Sequence, residues 1–492
     1  MRLIVIFINL PILVLSKPMP LICWETNGPD GPENICYKGA WVNTNSLINI
    51  TYASFQGIQY AQSPVGDLRF KLPLPYNAKG INDASNVNSN ILCPQYDSWT
   101  GSDRILGQED CLFLNVYIPE NAIHGLSLPV LFWIHGGSLV VGSGRIAEQG
   151  PRYFMETEQV IVVTVNYRLG ALGFLSMGTE DVPGNAGLRD QLLALKWVKD
   201  NIGFFGGDPE AITIAGESAG GFSVLLHILS PQSEGLFKRA IIQSGCVLFS
   251  SRTLTPEDAL KQRDALSESL GCDDSENVLK CLQTKSVNDF VYENVTHFDG
   301  GVADWSSVPD KDFTSDPYLP GRVEDLLMNG QFNRKIEIIY GTNSDEGIFI
   351  TAPQTNGLTE WNEFRESFPV VGTGLLFGIV SKSEITYEDL KRMHKLVEYY
   401  FEEIDNINEK YQQNILDMFT DSSFQYCTYQ TIKFFLLYGI TVYQYRLTYN
   451  GKYSTSVFYG APVGAGVCHS DDLIYLWEMK AYNDAIGNVF KS

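Results

Sequence analysis

The chain has 492 residues, 44% hydrophobic and 19% charged, an ordinary globular composition with ample apolar material for a large core. Its formal net charge of −22 argues against a nucleic-acid partner, because an acidic surface repels phosphate backbones; the same acidity keeps a protein soluble. Length alone allows about three domains, but the motifs below are spread along the chain as one unit, and a single domain over 17–492 is expected.

The N-terminus reads as a secretory signal over residues 1–16. Arg2 supplies a positive start, Leu3–Leu15 an apolar stretch broken by Asn9 and Pro11, and Ser16 a small residue suited to cleavage. The stretch is too short to cross a bilayer comfortably and no later run of about 18 apolar residues follows, so no membrane span is expected. Nine cysteines suit an oxidising, extracellular compartment. None forms a CxxC pair, which argues against a zinc ribbon or redox motif, and the odd count leaves at least one thiol without an intrachain partner. Cys23 and Cys36 are spaced to pair. Asn49-Ile50-Thr51 and Asn294-Val295-Thr296 are glycosylation sequons that agree with secretion.

Further along, Val130–Ile134, Val160–Val165 and Ala211–Ala215 are continuous apolar or β-branched runs, as in strands buried on both faces. Ile336–Tyr340 and Ile440–Tyr445 read as later strands of the same kind. Ala186–Asn201, Ala219–Leu229, Asp258–Leu270 and Tyr387–Glu403 read as helices. This alternation predicts an α/β protein with a mixed, mostly parallel sheet. Phe298–Gly321, rich in Gly, Pro and Asp, is expected to run over the surface.

Gly216-Glu217-Ser218-Ala219-Gly220 is a G-x-S-x-G sequence between a strand and a helix, the setting of a nucleophile elbow. The two glycines leave room for a tight turn at Ser218, and the following helix points its free N–H groups at the site. A serine hydroxyl needs a base to become a nucleophile at neutral pH. Of six histidines, His124 belongs to a surface loop, His135 to the His-Gly-Gly turn and His227 to the helix after Ser218. Only His297, His394 and His469 follow the serine, as the order serine, acid, histidine requires. His394 belongs to the charged helix, whereas His469 follows the Gly-rich turn Gly460–Gly466, from which a loop can reach over the sheet's carboxyl edge. The acid then lies in Gly341-Thr342-Asn343-Ser344-Asp345-Glu346-Gly347, past a strand end; Asp345 and Glu346 both qualify on position. Glu217, beside Ser218, is expected to hold the base's pKa up. His135-Gly136-Gly137, with Ala219, offers unobstructed N–H groups for an oxyanion. Gly142-Ser143-Gly144-Arg145-Ile146-Ala147 matches a loose dinucleotide pattern but opens no helix, so no cofactor is inferred.

Together these residues resemble the type-B carboxylesterases and cholinesterases from about Gly39 onward. Glu109–Tyr117 resembles one family signature and Phe205–Gly220 the active-serine signature. Val165-Asn166-Tyr167-Arg168, Gly184-Asn185-Ala186-Gly187 and Gln243-Ser244-Gly245 are also similar. The resemblance implies an α/β-hydrolase fold and hydrolysis of small carboxylic esters without metal or cofactor. It assigns Glu346 as the acid, His469 as the base, and Gly136, Gly137 and Ala219 as oxyanion donors. It also implies disulfides Cys93–Cys111 and Cys272–Cys281, each stabilising by roughly 3 kcal/mol in a chain-entropy model. Trp99 lies in the Cys93–Cys111 loop but not in the context of a choline-binding tryptophan, so a general carboxylesterase fits better than a cholinesterase. An adhesion protein of neuroligin type shares the fold but lacks the triad, against the presence of Ser218, Glu346 and His469. Relatives carry further helices where this chain ends at Ser492, so the chain is expected to be C-terminally incomplete, with any partner of Cys427 in the missing part.

Overall fold

The computed structural model describes residues 17–480, apart from 29–30, 88, 98–101, 124, 249–252, 297–304, 356–360, 378–384, 409–411 and 463. The expected signal segment, Trp99, His124, His297 and the Asn294 side chain lie outside the described residues.

Among the described residues the main sheet has nine strands. In spatial order they are Thr441–Leu447, Glu337–Asn343, Arg239–Gln243, Gly207–Glu217, Leu128–Ile134, Ile161–Val165, Phe113–Pro119, Thr51–Gln59 and Ala40–Asn43. The first six run parallel and the last three alternate. The apolar runs Leu128–Ile134 and Ile161–Val165 sit at the centre, where both faces are covered. Ile440–Tyr445 departs from expectation. Its strand, Thr441–Leu447, has a neighbour on one side only and is largely exposed.

The strand order places the site. Leu128–Ile134 precedes Ile161–Val165 in the chain, yet Ile161–Val165 lies between it and Phe113–Pro119. The connection leaving Leu128–Ile134 therefore runs one way along the sheet, and that leaving its neighbour Gly207–Glu217 runs the other. Their carboxyl ends form the switch point where open α/β sheets make a ligand crevice.

One sheet face carries the helices Ala186–Asn201 and Ala219–Leu229. Leu188, Leu192, Leu195, Val224 and Leu225 pack there with Val130, Phe132, Ile212 and Ile214 in the principal core. The other face buries Leu131, Trp133 and Ala215 against Met155, Leu473 and Trp477 from two short helical segments. An apolar cavity of about 560 Å³ opens beside them, lined by Leu131, Trp133, Ile241 and Tyr445.

Phe298–Gly321 needs correction in its described part. Trp305–Asp310 is buried, as are Tyr318 and Leu319. Asn185 clamps Val308 by two hydrogen bonds and the Asp310 carboxylate accepts from the Tyr318 and Leu319 amides, so the polar residues tie the segment inward instead of solvating it. Tyr387–Phe401 is a helix with a Thr386–Asp389 capping box, burying Met393, Val397 and Phe401 and leaving His394 exposed beside Glu398.

The disulfides Cys23–Cys36, Cys93–Cys111 and Cys272–Cys281 are closed. Cys23 stands opposite Cys36 in the hairpin of Leu21–Gly28 and Gly31–Lys38. The expectation for Cys427 is corrected: its partner is Cys246, 181 residues earlier, because the helix Tyr426–Leu437 returns to the end of Arg239–Gln243. Cys468 is free and buried.

Beside the sheet, Arg168 binds Asp190 through Nε (2.8 Å) and Nη2 (2.7 Å), and its own amide donates to the same carboxylate at 3.0 Å. Both side chains are buried. Asp190→Ala leaves a buried guanidinium without its partner and should destabilise by about 3–5 kcal/mol. The shift of the urea midpoint at constant m-value measures it.

Candidate active site

Ser218 stands at the switch point. It follows the strand Gly207–Glu217 and caps the helix Ala219–Leu229 with φ 55° and ψ −121°, a strained conformation that a non-glycine residue adopts only when its surroundings impose it. Its amide donates to Gln243 O at 2.9 Å, tying the turn to the neighbouring strand. A Cβ on Gly216 would meet Gly220 C at 2.5 Å, and one on Gly220 would meet Ile134 O at 2.1 Å. The close approach of the elbow to Leu128–Ile134 thus requires both glycines.

The His-Gly-Gly turn lies against this elbow. A Cβ on Gly136 would come 3.1 Å from Ser218 Cβ. Gly137 has φ 104°, and Ser138 and Leu139 follow at 54° and 63°, a run of left-handed residues that bends the strand end over the serine. Ala219 opens the helix, where first-turn N–H groups lack intrahelical partners. His135 is buried and stacks on Tyr167 at 4.3 Å; burial pulls its pKa down to about 4, so it is a neutral packing residue. His227 is likewise buried, between Gln191 and the Tyr318 hydroxyl, and pulled down to about 3.

His469 is brought to the same place from the far end of the chain. Its Nδ1 lies 2.7 Å from Glu346 Oε2, and Nε2 lies 3.3 Å from Glu217 Oε1. Glu346 is fully buried and its Oε1 also accepts from Ser244 Oγ (2.5 Å) and the Asn343 amide (2.7 Å). Asp345 is directed elsewhere: its Oδ2 accepts from the Val467 amide at 2.9 Å. Among the described residues no hydrogen bond joins the Ser218 hydroxyl to His469, whose Nε2 faces Glu217.

Burial, the strongest single influence on His469, pulls its pKa down. The Glu217 charge and the Glu346 hydrogen bond and charge outweigh it and hold the ring above the ordinary 6.5. Burial pushes the Glu217 carboxyl up to about 7 against the pull of the His469 charge. Ser470 Oγ donates to Glu217 Oε1 at 2.6 Å.

Several residues around His469 carried no separate sequence signal. Asp471 accepts from Ser454 Oγ, from the Thr455 amide and hydroxyl, and from the Cys468 amide, fixing the loop on both sides of His469. Asp472 is held by Gln243 Nε2 at 2.7 Å and the Tyr445 hydroxyl at 3.2 Å. The rings of Phe349 and Phe424 lie 4.7 and 4.9 Å from that of His469. Acids near a histidine could have been sought within three residues of it; the aromatic contacts come from distant segments.

A serine raised on a strained turn above a sheet of this strand order places the protein among the α/β-hydrolases. It belongs to the carboxylesterase family, whose sequence model matches residues 38–489. It is 36% identical over 460 residues to a juvenile hormone esterase of Tribolium castaneum, covering 87% of this chain and 74% of the relative. It is 34% identical over 460 residues to venom carboxylesterase-6 of Apis mellifera, covering 89% and 78%. The crystal structure of juvenile hormone esterase from Manduca sexta, with OTFP covalently attached, superposes with a TM-score of 0.77 at 27% identity, covering 93% of this chain and 84% of that one. The protein is a carboxylic ester hydrolase.

The charge arrangement has a direct test. Glu217→Gln removes the negative group facing Nε2, so the His469 pKa should fall, as read from the imidazole C–H resonance against pH. An unchanged midpoint would show that Glu217 does not act on the ring. Because the folded pKa is raised, the stabilisation from His469 is in full below about 6.5 and is lost as pH rises through the folded value.

Proposed function

We propose that Ser218 is the nucleophile, His469 its general base and Glu346 the acid that orients the base. The observation that carries this reading is the buried 2.7 Å contact between Glu346 and His469 beside the Ser218 elbow. A carboxylate on Nδ1 fixes the tautomer that leaves Nε2 free to take a proton, and it stabilises the imidazolium that forms.

His469 takes the hydroxyl proton as Ser218 Oγ attacks the ester carbonyl. The amides of Gly136, Gly137 and Ala219 receive the oxyanion. The intermediate collapses to an acyl-serine while His469 gives its proton to the leaving alcohol. Water, deprotonated by the same ring, then releases the carboxylic acid and restores the serine. These steps use side chains and backbone amides alone and involve no cofactor.

The substrate is a small carboxylic ester. A second reading, a hormone esterase, is favoured by the relatives bearing the name juvenile hormone esterase. Comparing kcat/KM for juvenile hormone with that for short-chain and choline esters separates it from a general carboxylesterase. Four disulfides, an exposed Asn49 sequon and the N-terminal apolar segment support secretion, and among the described residues no helix is long and apolar enough to cross a membrane.

Ser218→Ala should lower kcat by roughly 10⁴–10⁶-fold with the fold intact, and an organophosphate should label Ser218, as peptide mass mapping would show. Retention of substantial kcat would refute the nucleophile. Glu346→Gln should lower kcat by about 10⁴-fold, and Asp345→Asn, which touches Val467 and not the histidine, far less. The neutral ring is the active form, so kcat/KM should rise with pH through a midpoint above 6.5, in keeping with the raised pKa of His469.

A further inference from the structure

The helical run from Gln412 to Leu437 is interrupted by one π-helical turn, Asp421–Gln425, with α-helix on either side. Such turns carry a wider i→i+5 repeat, pack less well than α-helix, and persist where they place a side chain that an α-helix would turn away. This turn contacts the base and the segment that carries the acid. Phe424 lies with its ring centroid 4.9 Å from that of His469, tilted by 42°. Gln425 Nε2 donates to Thr342 Oγ1 at 2.9 Å and to Asn343 O at 3.3 Å. Asn343 in turn donates its amide to Glu346 and its side-chain amide to Cys468 O. Thr420, just before the turn, accepts from the Gly347 amide at 2.9 Å. Two residues beyond it, Cys427 is bonded to Cys246, which lies two residues after Ser244.

We propose that the π-helical turn Asp421–Gln425 positions the acid–base pair, with Phe424 as a positioning residue that clamps the His469 ring against Phe349 and stabilises its cationic form. Phe349 stacks on His469 at 4.7 Å and meets Phe424 edge-on at 5.9 Å, so the imidazole shares one aromatic cluster with both rings. An aromatic face attracts a cation within about 6 Å, more strongly where water is excluded. In the active form, where the resting ring is neutral, the imidazolium forms only as the serine proton is transferred, so this attraction acts on the reacting state and leaves substrate binding alone. The charged and titratable groups facing the ring are Glu346 from its loop, Glu217 from the elbow strand and Asp472 from the histidine's own segment, with the Tyr459 hydroxyl nearby. The acid of the π-turn, Asp421, is engaged by the Tyr400 hydroxyl.

The inference rests on the assignment of His469 as base. Phe424→Leu keeps an apolar, buried side chain and removes the aromatic face; Phe424→Tyr restores the face. The leucine variant should lose roughly 3- to 30-fold in kcat with KM nearly unchanged. The acidic midpoint of its pH profile should move down by about half a unit to one unit, because a cation that loses a favourable neighbour gives up its proton more readily. The tyrosine variant should recover most of both. A loss of kcat without movement of the midpoint, or without recovery in the tyrosine variant, would mean that Phe424 only fills space, and would overturn the proposal. So would unchanged kinetics in the leucine variant. Should Phe424→Leu unfold, Gln425→Ala provides the second measurement: kcat must fall at constant KM, and unaltered kcat overturns the proposal. Ser218→Ala, assayed alongside, fails independently if the underlying assignment is wrong.

Discussion

A buried carboxylate must find partners, and the site is built around that requirement. Glu346 is fully enclosed, and an ion taken out of water costs several kcal/mol unless its oxygens are satisfied. Three donors meet it, from different parts of the chain: the His469 ring, the Ser244 hydroxyl and the Asn343 amide. Ser244 and Asn343 stand at the carboxyl ends of adjacent parallel strands, Arg239–Gln243 and Glu337–Asn343. Pairing of the sheet therefore sets the position of Glu346, and Glu346 holds the orientation of the imidazole. A one-residue slip in that register would separate two of the three donors and leave a charge unsatisfied.

The serine depends on close approach. The elbow crosses Leu128–Ile134 so tightly that Gly216 and Gly220 have no room for a methyl group, and Gly136 completes the contact from the other strand. Backbone strain at Ser218 persists because the surrounding ladder fixes it, through the bond of its amide to Gln243 and the register of Gly216 with Ile134. Ser218, the proposed nucleophile, thus follows a central strand, whereas His469, the proposed base, arrives on a loop. Asp471 compensates, since one carboxylate binds both the Ser454–Thr455 turn and the Cys468 amide.

Much of this was legible in the sequence, for identifiable reasons. Apolar runs such as Val130–Ile134 and Val160–Val165 mark central strands because both faces are covered, and Gly-x-Ser-x-Gly between strand and helix records a steric necessity. The edge strand Thr441–Leu447 was misjudged because a short apolar run looks the same at the centre and at the rim. For Phe298–Gly321 the surface reading fails at Trp305–Asp310, Tyr318 and Leu319, because Pro and Asp suit buried, internally hydrogen-bonded turns as well as surface ones. Asp345 and Glu346 could not be separated by position alone; the structure separates them by direction, one toward Val467 and the other toward His469. The Cys246–Cys427 pairing and the contact of Phe424 with the base are long-range. No local pattern encodes them, since each depends on the helix beyond Thr420 returning to the sheet's carboxyl edge.

The excess of acid around one imidazole explains how the site keeps its charge in balance. Glu217, Glu346 and Asp472 all act on His469, and a single imidazolium cannot neutralise three buried anions. Burial answers first, raising the pKa of Glu217, Asp471 and Asp472. The charges that remain favour the cationic ring. Protonation of His469 makes ionisation of Glu217 easier in turn, since the two titrate against each other.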